Sequence, residues 1–272
     1  MKNFTFKGLF LAVVFIVLGS LSIQAADGLI TKQITIKLEK AGTLPDKIGS
    51  TKKFQITNLK IIGEINGTDL RMIREMAGKD ARGDDTDGML SVLDLSDAKI
   101  VAGGDSFTSN DMIGDYAFNG CSGLTSLTLP TGVTKIGYSA FSGCSGLTSL
   151  TLPSGVTEIG YSAFSGCSGL TSIYVYAEKM PKLGTDMFNG CDAKKCTVYV
   201  PKGTYDDYWL SEFGYFENIV EFDPTGINNV ITSNDAKELS RYSLNGQRLS
   251  APTKGLNIVK YSDGSVKKVA VQ

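Results

Sequence analysis

The 272-residue chain contains no histidine and a single tryptophan. Histidine is the commonest general base and a frequent metal ligand near neutral pH, so its absence argues against a hydrolytic triad and against most zinc sites. Residues 116–174 contain only two charged side chains, Lys135 and Glu158, so they lack the paired carboxylates of a glycosidase. We therefore predict no catalytic residue, no metal site and no cofactor, and we do not expect an enzyme.

An excess of positive charge is also missing. The chain has 27 basic and 28 acidic residues and a formal charge of −1. Nucleic acids and anionic membranes attract proteins through a basic field, which this composition does not supply. A nucleic-acid partner is therefore not expected.

The amino terminus has the pattern of a cleavable secretory signal. Lys2 and Lys7 precede an apolar run over 9–18, and small residues follow up to Ala25. The run is too short to span a bilayer, and no later run is long enough. We predict a signal peptide over 1–25, no lipid anchor because no cysteine lies near the cut, no transmembrane segment in the mature chain, and export to the outer surface or the medium.

A repeat of about 23 residues dominates the middle of the chain, and such a period takes precedence over local predictions of secondary structure. The run from Tyr116 to Pro130 recurs at Tyr138 and begins again at Tyr161. The same step separates three sets of apolar positions: Phe118, Phe141, Phe164 and Phe188; Cys121, Cys144, Cys167 and Cys191; and Leu127, Leu150 and Ile173.

Each unit is too small to fold alone. Leu124, Leu127 and Leu129 fit a strand with large side chains on one side, which Pro130 ends because proline donates no hydrogen bond. The residues 139–141 leave room for one helical turn before Gly143. One unit buries roughly six large apolar side chains, which contribute about 1.5–3 kcal/mol each. Ordering the backbone costs roughly 1–2 kcal/mol for every residue of the unit, and this total cost is larger. Stacking of the units must therefore supply a shared core.

The ends of the array differ from its middle. Residues 59–65 predict a strand, after which Asp69 is expected to cap a helix from Leu70 to Met76. At the other end, residues 205–222 are rich in aromatic side chains and are expected to close the last open edge of the core.

The unit Tyr-x-Ala-Phe-x-Gly-Cys-x-x-Leu-x-Ser-Leu-x-Leu-Pro resembles the BspA-type (treponemal-type) leucine-rich repeat of bacterial surface proteins. The Val-Pro-Lys-Gly-x-x-x-x-Tyr run over 200–208 is similar to that family's terminal unit, and the resemblance covers about 59–222. It implies an α/β, β-rich solenoid with parallel strands on its concave face. It also implies adhesion to proteins, other microbes or glycans, and no shared catalytic residues.

A different pattern follows the repeats. Asn245-Gly246 and Asp263-Gly264 lie between short apolar runs and predict two hairpins, hence a small antiparallel β module. The Leu-Asn-Gly-Gln-Arg-Leu hairpin resembles the sorting domains of type IX secretion, with a structural cap as the alternative. The predicted organisation is a signal peptide (1–25), an N-terminal strand and cap segment (26–58), the solenoid (59–222, with near-identical units in 116–175), a linker (223–229) and the C-terminal β module (230–272).

Between the inward leucines, alternate residues of the strands are expected to point outward. Neighbouring strands lie about 4.8 Å apart, so these residues form a continuous, uncharged, hydroxyl-rich wall that is aromatic at one end. The wall is the predicted binding site for a protein or a glycan. The alternative is that serine and threonine occupy these positions only because they are soluble residues that suit a β-sheet. The candidate residues are Asp94, Ser126, Thr128, Ser149, Thr151, Ser172, Tyr174, Thr197 and Tyr199.

Three other motifs have ordinary interpretations. The periodic cysteines predict buried free thiols, with Cys191 and Cys196 the best pair for a disulfide. The acidic run 80–87 lacks the closing Glu of a calcium loop and predicts a solvated loop, within which 82–84 reads Arg-Gly-Asp, the tripeptide that integrins bind. Asn66-Gly67-Thr68 fits a glycan acceptor but predicts a turn.

Two functions follow from these observations. The first is a secreted or surface-attached protein that binds host or microbial proteins or glycans through the strand face. The second is a structural spacer of the cell envelope that has no discrete ligand.

Overall fold

The computed structural model describes residues 28–104, 108–224, 238–243, 248–249, 251, 254–261 and 266–271. The chain divides into two compact units, with the boundary after Pro224. The predicted signal peptide over 1–25 lies outside the described residues, as do the predicted turns at 245–246 and 263–264 and most of the predicted linker.

Short strands separated by tight turns make up most of the first unit, as the repeat predicts. The helices are α1 (Leu44–Ile48), α2 (Gly67–Met76), α3 (Tyr205–Trp209) and a 3₁₀ helix (Glu212–Tyr215). The strands are β1 (Ile34–Leu38), β2 (Asn58–Ile65), β3 (Val92–Ile100), β4 (Thr108–Ser109), β5 (Met112–Ile113), β6 (Ser126–Thr128), β7 (Lys135–Ile136), β8 (Ser149–Leu152), β9 (Glu158–Ile159), β10 (Ser172–Val175), β11 (Lys182–Leu183), β12 (Thr197–Pro201) and β13 (Asn218–Phe222).

The strands form two sheets that both follow the repeat. The larger is an eight-stranded parallel sheet in the order β1-β2-β3-β6-β8-β10-β12-β13. The smaller has five strands in the order β11-β9-β7-β5-β4 and is parallel except for its last pair. Each repeat adds one strand to each sheet, and this confirms the predicted solenoid architecture.

One ladder of apolar side chains runs through the large sheet. Leu93 pairs with Leu127, and Ile173 pairs with Leu150 on one side and Val198 on the other. All five side chains are buried, the most exposed at 5%. Consecutive repeats therefore share one interior, as the spacing of the leucines predicts.

A second ladder consists of phenylalanine rings. Phe141 lies between Phe118 and Phe164 with centroid distances of 5.4 and 5.5 Å and nearly parallel planes. Phe188 continues the stack at 5.9 Å from Phe164. Each ring contact contributes about 0.5–1.5 kcal/mol beyond the area that it buries.

The turn that carries Phe141 is tight. The amide of Ser142 donates to the carbonyl oxygen of Ser139 at 3.2 Å, which closes a turn of 3₁₀ type. Gly143 follows with a φ of +76°, a conformation that glycine adopts without strain. The predicted single turn ending at Gly143 is confirmed.

The amino-terminal end of α2 differs from the prediction. The helix begins at Gly67 and not at Leu70, and its N-cap is Asn66 instead of Asp69. Asn66 is extended, and its side chain accepts the amide of Thr68, while Asp69 at the third helical position accepts the amide of Asn66. The prediction was wrong because the pair Asn66-Gly67 is also typical of a turn. Here Asn66 and Asp69 instead form a reciprocal capping box, which begins the helix at Gly67.

Aromatic side chains close the carboxyl-terminal end of the core, as predicted. Phe213 and Phe216 are buried against Phe188, with centroid distances of 5.2 and 4.8 Å. The buried Tyr208 donates its hydroxyl to the carbonyl oxygen of Ala177 at 2.8 Å. The strand β13 was not predicted, and it extends the large sheet by one strand beyond β12.

The second unit contains β14 (Glu238–Ser243), β15 (Arg248–Leu249), β16 (Gly255–Tyr261) and β17 (Val266–Val271). They pair antiparallel in the order β15-β14-β16-β17. Within this sheet the buried Arg241 donates to Oδ1 of Asn257 at 3.2 Å. The resemblance to a sorting domain stays a prediction.

Within the described ranges, no helix has the length and apolar character that crossing a membrane requires.

Candidate functional site

The predicted candidate residues lie together on one face of the large sheet, which we call the outer strand face. The strand register places them in two rows that run across the repeats. One row contains Val92, Ser126, Ser149, Ser172 and Thr197, and the other contains Asp94, Thr128, Thr151, Tyr174 and Tyr199. The residues between them point into the core, so a rigid buried ladder holds every member of both rows in place.

Four short hydroxyl side chains form the middle of this face, and we call them the hydroxyl floor: Ser126, Thr128, Ser149 and Thr151. The first two are exposed and the other two are half-buried. Their hydroxyls can both donate and accept hydrogen bonds. The floor has neither charge nor an apolar side chain.

Two tyrosine rings stand at one end of the floor. Tyr174 and Tyr199 are stacked, with centroids 4.5 Å apart and planes 7° from parallel. That distance is close to the spacing of neighbouring strands, so the rings stand side by side with their faces turned along the sheet. One face of Tyr174 covers Tyr199, and the register places Thr151 of β8 beside Tyr174 on the opposite side. Burial and the neighbouring Tyr199 raise the pKa of the Tyr174 hydroxyl.

Two further aromatic residues, missed by the sequence analysis, support this pair. The ring of Phe222 meets Tyr174 edge-on at 6.3 Å and Tyr176 at 5.2 Å. Tyr176 follows Tyr174 by two residues, the spacing of side chains on one side of a strand, and this spacing could have placed Tyr176 on the outer strand face. No comparable signal existed for Phe222, because β13 was not predicted.

Charged residues bound the opposite end of the floor. The Lys60 ammonium lies 3.0 Å from Asp94 and 2.7 Å from Asp97. Burial opposes ionisation of Asp94, but hydrogen bonds from Ser96 and Lys60 lower its pKa overall. The expectation of an uncharged wall was wrong at this end, because Asp94 is itself an ionised carboxylate and the register brings Lys60 of β2 beside it.

We call the part of the outer strand face between these charged residues and the tyrosine pair the trough. The ion-paired Lys60 and Asp94 form its wall on one side, and the ring of Tyr174 forms its wall on the other. Asp94 and Tyr174 are three strands apart, or about 14 Å at the usual strand spacing. The hydroxyl floor lies between them.

A second row of tyrosines lies outside this face. Tyr116, Tyr138 and Tyr161 are between 39% and 47% exposed. Tyr138 stacks on Tyr161 with centroids 5.4 Å apart and planes 13° from parallel. This pair matches the Tyr174–Tyr199 pair in chemistry and stacking but not in position, so it provides a control for experiments on the trough.

All five cysteines are buried free thiols, which the repeat predicts for the four periodic ones. Cys191 and Cys196, the pair favoured for a disulfide, are not bonded to each other. The thiols of Cys144 and Cys167 donate to main-chain carbonyl oxygens of the neighbouring repeat at 3.1 and 3.2 Å. Burial raises the pKa of Cys121 to about 11. These cysteines therefore fill the core and are poor nucleophiles.

We expect the folded chain to resist alkylation at these positions. At pH 8 a maleimide or iodoacetamide reagent should label almost none of the five thiols, because only the thiolate reacts and each sulfur is buried. Mass spectrometry after unfolding in guanidinium should find all five labelled. Rapid labelling of the native chain at Cys144 would contradict the packing described here.

The acidic loop after α2 is organised by its own main chain. The Asp80 carboxylate accepts the amides of Arg82 and Asp84 at 2.8 and 2.9 Å. Lys79 pairs with Asp85 at 2.6 Å. Within the part of the chain that the structure describes, no cluster of His, Cys, Asp or Glu side chains is arranged to hold a metal ion. The Arg-Gly-Asp tripeptide lies on this exposed loop.

Comparison with known families addresses the middle of the chain. Residues 106–208 match the BspA-type leucine-rich repeat region in six copies. These residues are a BspA-type leucine-rich repeat region. Such BspA-type repeats are non-enzymatic scaffolds and indicate a role in protein interaction or at the cell surface.

Comparison with solved structures gives a more distant likeness. A leucine-rich repeat protein from Bacteroides ovatus is 21% identical to this chain and aligns with a TM-score of 0.35. The alignment covers 71% of this chain and 42% of the other, so the chain spans less than half the length of that protein. Comparison with curated proteins found no match.

Proposed function

We propose that this chain is an exported, non-enzymatic interaction protein that captures a protein or a glycan on the outer strand face of its BspA-type repeats. The trough between the Lys60–Asp94 ion pair and the Tyr174 ring carries the proposal. It combines a rigid base, a polar floor and one aromatic wall, the combination that orients a ligand. The predicted signal peptide over 1–25 is the reason for proposing export.

The alternative of an envelope spacer is less well supported, because of the way the hydroxyl groups are used. Thr125, Thr148 and Thr171 form another periodic row, and each hydroxyl donates to a carbonyl oxygen of the preceding repeat at 3.0–3.1 Å. Those threonines stabilise the stack. Within the described residues, the hydroxyls of Thr128 and Thr151 make no such bond, so they remain free for a ligand.

The double substitution Tyr174→Ala with Tyr199→Ala tests this proposal. We expect the affinity for a captured ligand to fall by at least about tenfold, because buried aromatic anchors commonly contribute roughly 2 kcal/mol or more at an interface. The measurement compares retention of host-extract proteins, and binding to a glycan array, on immobilised wild-type and variant chains.

The matched control is Tyr138→Ala with Tyr161→Ala, which removes a stacked tyrosine pair from a different surface. This control should retain wild-type binding. Both variants should keep the circular dichroism spectrum of the wild type. Wild-type binding by the Tyr174/Tyr199 variant would reject the trough as the binding site, and the absence of any reproducible ligand would favour the spacer.

A further inference from the structure

We propose that the trough binds an uncharged oligosaccharide, with one sugar ring stacked on the free face of Tyr174. This inference rests on the proposed function and names the ligand class of the same site. It depends on three properties of the trough: an accessible aromatic face, a floor of hydroxyl groups, and charges that are already paired with one another.

The aromatic face comes from the abrupt change in side-chain size between β8 and β10. The row that contains Thr128 and Thr151 continues with Tyr174 and Tyr199. Tyr199 covers one face of Tyr174 and the ring of Phe222 lies perpendicular to it, whereas the neighbour on the β8 side is the much shorter Thr151. The negative face of an aromatic ring attracts the C–H groups that line one side of a pyranose ring.

The hydroxyl floor provides the polar half of such a site. Sugar hydroxyls both donate and accept hydrogen bonds, and so do the side chains of Ser126, Thr128, Ser149 and Thr151. Ser172 donates to Ser149 at 3.0 Å, which fixes the direction of that hydroxyl and leaves the Ser149 proton available to a ligand. The floor also lies directly below the free face of Tyr174, so stacking and hydrogen bonding can act on one ligand.

The charges of the trough favour a neutral ligand. Lys60 is the basic residue of its wall, and it is already shared between Asp94 and Asp97. An anionic glycan would have to displace these carboxylates. A protein partner fits the floor less well, because the centre of a protein interface is typically apolar and built around aromatic or arginine anchors in pockets, and four Ser and Thr side chains form no such pocket.

The test is an array of neutral α- and β-linked hexose oligosaccharides printed beside sialylated and sulfated counterparts, probed with the full chain. We expect binding to neutral members. Tyr174→Ala should weaken that binding by roughly tenfold or more, whereas Tyr174→Phe, which keeps the ring, should stay within about threefold of the wild type. Thr151→Val should weaken it several-fold because it removes a floor hydroxyl at nearly constant shape, and Tyr138→Ala should change nothing.

Three results would overturn the inference: no binding to neutral members, binding only to sialylated or sulfated members, or equal losses for Tyr174→Phe and Tyr174→Ala. The companion measurement is retention of host-extract proteins on the same variants. Protein retention that depends on Tyr174 without neutral-glycan binding would overturn the glycan inference and leave the proposed function standing. If neither measurement depends on Tyr174, both fall.

Discussion

Replacement of Phe141 by alanine is expected to lower the free energy of unfolding of the first compact unit, which contains the repeats, by about 3–5 kcal/mol. The ring is fully buried and lies between Phe118 and Phe164 at 5.4 and 5.5 Å. Its removal therefore leaves a cavity and breaks two ring contacts at once. The neighbouring rings cannot close the gap, because the backbone of each is held by a bond to the next repeat, from the Phe118 amide to Ala140 and from the Phe164 amide to Met187.

Denaturant titration followed by circular dichroism measures this effect. In a thermal melt the melting temperature should fall by about 6–20 °C, because a domain of this size loses roughly 2–4 °C per kcal/mol. Tyr138→Ala is the matched control, since it removes a ring of similar size from an exposed position in the same turn, and it should cost less than about 1 kcal/mol. Equal losses for Phe141→Ala and Tyr138→Ala would show that the phenylalanine ladder does not carry the stability of the stack.

The parts of the fold that repeat every 23 residues could be predicted from the sequence. The spacing of the phenylalanines, cysteines and leucines placed Phe141, Cys144 and Leu150 in one buried interior, because a residue that recurs at the period of a solenoid occupies the same place on each rung. The same reasoning placed Thr151 and Tyr174 outward. All five side chains occupy their predicted positions.

Contacts that occur once in the chain could not be predicted in this way. Lys60 and Asp94 are 34 residues apart in different repeats, and their pairing depends on the register of β2 with β3, which no periodic motif specifies. Phe222 contacts Tyr176 only because β13 adds a strand after two short helices. The Lys60–Asp94 wall of the trough therefore needed three-dimensional coordinates, whereas its floor and the position of Tyr174 did not.

The amino-terminal cap is another feature of this kind. The sequence indicated that Asp69 begins a helix, but not that its carboxylate accepts three amides from two segments of the chain. Its oxygens accept the amides of Gly42 at 2.6 Å, Leu44 at 2.9 Å and Asn66 at 2.9 Å. Asp69 and the amide of Leu44 are fully buried, so that amide has no water as an alternative acceptor, whereas Gly42 and Asn66 are half-buried.

Asp69→Ala is consequently expected to destabilise the first compact unit by at least about 2 kcal/mol, because the buried Leu44 amide left without a partner costs about 1–3 kcal/mol and each of the two half-buried hydrogen bonds contributes about 0.5–1.5 kcal/mol. Asp69→Asn should lie between the wild type and alanine, since the amide retains one acceptor oxygen. Denaturant titration gives the size of the loss. Amide hydrogen exchange locates it, with faster exchange expected at Gly42 and Leu44 before any change in the repeats.

The control is Asp46→Ala, which removes an exposed carboxylate from α1, the helix that packs against α2. It should change stability by no more than about 0.5–1 kcal/mol, the usual contribution of an exposed acidic residue in a first helical turn. If Asp69→Ala costs no more than Asp46→Ala, the three hydrogen bonds do not hold the cap, and the stability of this end must come from the apolar contacts of Leu44 and Leu70 alone. A loss several times larger, concentrated at the amides of Gly42 and Leu44, would show that one buried carboxylate closes the exposed end of the repeat core.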